Sequence, residues 1–137
     1  MNRNYLLVLS LILLSLLTGC ARDTLVMPAL SIEIRDARTG GPAVWEANVV
    51  VRDGDYSETI RVWERDRVKP DPINQPVVLM AENRPGTYDV TITHPGYRTW
   101  HRAGIRVRES GLRNPIGGTA LPDQVHILAE LERLDEG

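Results

Sequence analysis

Phenylalanine is absent from this 137-residue chain, cysteine occurs once, and aromatic residues make up only 5% of it. A single cysteine excludes any intramolecular disulfide, so the fold must stand on its apolar core alone. An excess of one charge is lacking too: 16 Lys and Arg face 18 Asp and Glu, for a formal charge of −2. Nucleic-acid binding calls for a basic footprint, and this balance gives no reason to expect it. Long apolar runs occur in one place only, Leu6 to Leu17, broken by Ser10 and Ser15. As a helix these twelve residues cover about 18 Å, against the roughly 30 Å of a bilayer's hydrocarbon core. A permanent membrane-spanning helix is the weaker reading of that run.

What is present begins with the anatomy of an export signal: a charged start at Met1 and Arg3, the apolar run, then Thr18-Gly19. The lone cysteine stands directly behind it. Leu17-Thr18-Gly19-Cys20 resembles the lipobox of bacterial lipoproteins. Small residues there give a peptidase access to the bond before the cysteine, which becomes the lipid-modified N-terminus. The alternative is an ordinary secretory signal cleaved nearby, leaving a free thiol in an oxidising compartment. The resemblance implies a membrane anchor at Cys20. A single acyl chain, at about 0.8 kcal/mol per buried CH₂, holds a protein only marginally, and two or more hold it firmly. Lipoproteins of this type usually carry three chains. Ala21, where Asp would signal retention, implies an outer-membrane destination with the protein facing the periplasm. Loss of residues 1–19 leaves 118 residues with a formal charge of −3, enough for one domain.

Residues 20–29 read as a lipidated tether, 30–134 as one domain and 135–137 as a tail. In "ALSIEIRD" Leu30, Ile32 and Ile34 share one face, and Ser31, Glu33 and Arg35 the other, as in a strand with one buried side. "ANVVVRD" and "YSETIRVWER" flank an Asp53-Gly54-Asp55 turn, so the three segments suggest an antiparallel meander. "RDRVKPDPINQP" has three prolines and reads as a long exposed loop or an edge excursion. Further strands are expected at Val77 to Glu82, over "TYDVTITH", and in "YRTWHRAGIRVRE", with loop from Gly111 to Asp123. "QVHILAELERL" fits strand and helix periodicity alike, and strand is preferred. The expected fold is an all-β, seven- or eight-stranded antiparallel β-sandwich.

Two stretches carry a further likeness. "EIRDARTGGPAVWEANVVVRDG" and "RPGTYDVTITHPGYRTW" resemble the opening and later signatures of transthyretin-like and carboxypeptidase-regulatory-like domains. The likeness spans most of residues 30–134. It implies a sandwich that assists folding, binding or attachment and is seldom catalytic, with no cofactor. One branch, the 5-hydroxyisourate hydrolases, uses histidines, an arginine and a C-terminal Tyr-Arg-Gly-Ser segment. This chain ends in "ERLDEG" and has no histidine in its first strand, so that activity has no residue-level support.

No nucleophile and base are arranged in a catalytic pattern, and the spacing of His94, His101 and His126 matches no compact zinc pattern. Arg98, Arg102, Arg106 and Arg108, with Trp100 among them, would form one basic stripe if their strand is unbroken. Arg113 extends this basic segment. The stripe is the candidate binding surface, for an envelope protein or glycan, set against the plainer reading of a solvated face paired with nearby acids. Of Trp45, Trp63 and Trp100, some are expected to fill the core, and any exposed one marks a contact. A second class of function is an accessory subunit of an envelope or secretion machine, docking through "DRVKPDPINQP".

Overall fold

Alternating β-branched residues dictate the architecture. The computed structural model describes residues 24–62, 68–70 and 76–134. In chain order the strands are β1 (Pro28–Asp36), β2 (Asn48–Asp53), β3 (Tyr56–Arg61), β4 (Val68–Pro70), β5 (Pro76–Glu82), β6 (Gly86–Thr93), β7 (Trp100–Val107), β8 (Glu109–Arg113), β9 (Ala120–Pro122) and β10 (Val125–Leu131). Eight of them build two four-stranded sheets, ordered β10-β1-β5-β4 and β3-β2-β6-β7, while β8 and β9 form a separate hairpin. The protein is an all-β sandwich, as its alternation predicts.

Between the sheets, Leu30, Ile32, Ile34, Met80, Ile127 and Leu131 face Val49, Val51, Tyr88, Val90 and Ile92, all almost completely buried. Among the described residues aliphatic side chains supply most of this volume, and neither described tryptophan lies at the centre. Trp45 is exposed and Trp100 only packs at the core's margin. Trp63 lies outside the described residues. Among the described residues Tyr88 is the one large aromatic at the centre, and its hydroxyl donates to the Arg84 carbonyl four residues upstream. That back-bond ties the start of β6 to the preceding turn, as tyrosine corners do in sandwiches.

Several expectations need correction. Val125, Ile127, Ala129 and Leu131 form a strand, but β10 runs parallel to β1, with Leu30 opposite Val125 and Asp36 opposite Leu131. Its sheet is therefore mixed. The strands β2 and β3 form the expected hairpin, yet β1 lies in the other sheet, so the three are not a meander. Flanked by β10 and β5, β1 is buried on both faces: Ser31 and Glu33 on the outer face are 7% and 6% exposed. Neighbours in register, His126 and Leu79 beside Ser31, Leu128 and Val77 beside Glu33, shield these polar groups. Glu33 keeps partners there, accepting from Arg35 Nε and lying 3.3 Å from His126 Nε2.

The proline-rich stretch contributes the edge strand β4, paired with β5 from Val68↔Val78 to Pro70↔Pro76. An edge tolerates proline because one side of the strand needs no donors. Residues expected as loop from Gly111 onward instead contribute to the β8–β9 hairpin.

The two ends of the sandwich differ in what gathers there. At one end lie the start of β1, the β2–β3 and β5–β6 turns, the end of β7 and the β8–β9 hairpin. The opposite end holds the turn after β1, the segment after β6 and the close of β10.

Candidate functional site

The strand that carries the predicted arginines is β7, at one edge of its sheet. Opposite β6 its register runs Ile92↔Trp100, Thr91↔His101 and Val90↔Arg102, then shifts to Tyr88↔Ile105, Thr87↔Arg106 and Gly86↔Val107. Two steps on β6 match three on β7, so β7 bulges at Ala103-Gly104. Gly104 adopts φ +70°, a left-handed conformation that glycine takes without a side-chain penalty. Its N–H donates to Asp89 Oδ1 at 2.9 Å, which holds the bulge in place.

This bulge reverses the alternation. In-register neighbours share a face, so Trp100 and Arg102 align with the inward Ile92 and Val90, whereas Arg106 aligns with the exposed Thr87. The single basic stripe from 98 to 108 is therefore not formed. Arg98, Trp100 and Arg102 belong to one part of the β7 edge, and Arg106 and Arg108 to another.

Each part opens on its own shallow cleft. Arg98 precedes β7, and its N–H donates to the Glu132 carbonyl at 2.8 Å, joining the two sheets where β7 approaches β10. The cleft along that seam, about 310 Å³, is lined by Arg98, Thr99, Trp100, His101, Glu130 and Glu132. Arg106 and Arg108 line a second cleft of about 540 Å³ with Pro85, Gly86, Thr87, Val107 and Glu109. A third, about 320 Å³, lies at the opposite end of the sandwich between Glu46, Asn48, Arg61, Thr93, His94 and Pro95. There Asn48 Oδ1 is buried and accepts no hydrogen bond. All three clefts are open and carry both signs of charge.

The histidines do not converge. His94 stacks edge-on against Tyr97, ring centroids 4.7 Å apart, and its Nδ1 lies 2.7 Å from the Pro95 carbonyl. His101 lines the seam cleft, and His126 sits on the outer face of the other sheet beside Ser31 and Glu33. Among the described residues no group of three or more His, Cys, Asp and Glu side chains is placed to hold a metal ion. Leu17, Thr18, Gly19 and Cys20 lie outside the described residues.

Sequence reasoning misses a polar hub. Asp36, 3% exposed at the end of β1, accepts from the N–H groups of Arg38 and Thr39 through Oδ1, at 2.8 and 3.0 Å. Its Oδ2 accepts from Tyr97 Oη at 2.8 Å and Arg133 Nε at 2.6 Å. The Arg133 bond, then the Tyr97 hydroxyl and the Thr39 N–H, hold the carboxyl well below the usual carboxylate range. One carboxylate thus joins the turn after β1 to the segments following β6 and β10. The Asp-x-x-Thr-Gly spelling marks that turn, with Gly40 at φ +70°, but nothing local names the two distant partners.

A second cluster braces the other end. Arg84 lies over the Tyr56 ring, 4.2 Å from its centre, and Tyr56 donates to Glu58 at 2.6 Å. Glu58 also accepts from the Ala81 N–H at 2.8 Å, which links β3 to β5 across the sandwich. Burial, then the Glu58 hydrogen bond, pushes the Tyr56 hydroxyl far above its ordinary range, so it remains a donor.

No protein-family model matches this chain, and no curated protein matches it.

Proposed function

We propose that this is a lipid-anchored envelope protein, held at the outer membrane through Cys20 and facing the periplasm. Its transthyretin-like or carboxypeptidase-regulatory-like sandwich serves as a non-catalytic binding or assembly module. The lipobox-like Leu17 to Cys20, directly behind an export-type segment, supports the anchor.

The β7 edge is the observation that carries the binding half. From Trp100 to Val107 the strand pairs on one side only among the described residues, and clefts flank it at both ends. A strand edge with arginines, a partly exposed tryptophan and acidic neighbours offers the mixed chemistry of a protein contact. The carboxylates of Glu130 and Glu132 in the seam cleft disfavour a polyanion there and favour a polypeptide of mixed charge.

Photo-crosslinking from position 102 of the full-length protein in intact cells tests this reading. A discrete adduct that disappears with Trp100→Ala is the expected result, and the absence of any adduct contradicts a binding role for this edge. In parallel, Cys20→Ala should move the protein out of the membrane fraction. Unchanged membrane retention of that variant contradicts the anchor.

A further inference from the structure

The segment leading from Cys20 into the domain is fastened to one end of the sandwich. Met27 N–H donates to Asn83 Oδ1 at 2.8 Å, and Asn83 N–H returns a bond to the Met27 carbonyl at 2.8 Å. Two residues earlier in the path, Asn114, itself 6% exposed, reaches the Leu25 carbonyl with its side-chain amide at 3.5 Å. Asn114 opens the turn of the β8–β9 hairpin, so chain exit and hairpin lie side by side.

Four exposed large apolar residues cluster in these two segments: Leu25 and Val26 in the exit, Leu112 and Ile116 in the hairpin. The other exposed ones, Trp45, Leu128 and Leu134, are scattered over the opposite end and the outer face of β10. Leu112 is 56% exposed in β8, which bulges: four steps from Glu109 to Arg113 match two from Pro122 to Ala120. Three backbone donors at the tip are satisfied within the hairpin. Asn114 N–H bonds the Thr119 carbonyl, Gly118 N–H the Asn114 carbonyl and Ile116 N–H the Asn114 side chain. Leu112 N–H bonds Ser110 Oγ, and Arg113 reaches the Gly118 carbonyl at 2.9 Å. These internal bonds lower the cost of moving the tip out of water.

We infer that the β8–β9 hairpin rests on the bilayer that holds Cys20, with Leu112 and Ile116 entering its interfacial layer; this rests on the anchor proposed above. Five residues from Cys20 to Leu25 span at most about 18 Å even when fully extended, so a lipid at Cys20 keeps Leu25 within that distance of the headgroups, with the hairpin's Asn114 beside it. Apolar side chains on a short leash from a membrane find it as their nearest apolar phase, at depths of about 5–10 Å for interfacial elements. The domain then stands on this end, and the turn after β1 points away from the membrane.

The test uses full-length protein purified from a host that processes lipoproteins. With Cys20 acylated, Leu112→Cys, Ile116→Cys and, at the far end, Arg38→Cys each provide a single thiol for an environment-sensitive fluorophore. In phosphatidylcholine vesicles with shallow spin-labelled lipid, labels at 112 and 116 should shift to the blue and lose most of their emission, and the label at 38 should do neither. Lipidated protein in which all three labels stay solvent-like overturns the hairpin's placement and leaves the anchor standing. Unsubstituted protein that takes up label at Cys20 overturns the anchor, and the placement with it.

Discussion

Asp36 concentrates more of the fold's polar cohesion than any residue the sequence marks out. It accepts four hydrogen bonds from three separate stretches of chain, and these favour its ionised form. A carboxyl whose pKa is depressed in the folded state contributes stability that is fully present above its unfolded value, near about 3.9. That contribution is lost as pH falls through the lower folded value. The stability difference between wild type and Asp36→Asn should therefore be large and constant from pH 7 down to about 5, and shrink steadily below about pH 4. Urea unfolding at a series of pH values checks this, and a gap independent of pH would contradict it. At this scale the sequence showed the turn around Asp36 but not its partners. Tyr97 and Arg133 lie 61 and 97 residues away, and only the closed sandwich brings them together.

Among the elements, β7 illustrates how period-two reading succeeds and where it stops. On either side of Ala103-Gly104 alternation holds, and Ile105 and Val107 point inward as expected. One inserted residue shifts the parity of everything before it, and so divides an apparently continuous arginine stripe. The local sign was Gly104 within a strand, a position that often marks a bulge. An added Cβ at Gly104 meets nothing within 4 Å, so Gly104→Ala isolates the backbone cost of φ +70°. That substitution should destabilise the protein by about 1–2 kcal/mol, measured by urea unfolding. A neutral or stabilising effect would show that the bulge does not need glycine. The β1–β10 pairing was hidden for a different reason. Alternation fixes which face of a strand is buried, but it is silent on which strands lie side by side or in which direction.

For the molecule as a whole, the sandwich class and seven of the ten strands were legible, because burial of one face per strand leaves few other solutions, whereas β4, β8 and β9 fall in segments rich in proline and glycine that read as loop. The arrangement of surfaces was not. Three clefts, the β7 edge and a hairpin with exposed Leu112 and Ile116 beside the chain exit arise from packing, and no local spelling announces them. In the proposed reading one end serves the bilayer and the β7 edge a partner. The orientation depends on what happens at Cys20. Intact-mass analysis of the protein extracted from membranes tests this most directly. A mature chain beginning at Cys20 and carrying thioether-linked diacylglyceryl with an N-acyl group is the predicted result, and a chain bearing a free thiol at Cys20 would contradict the account.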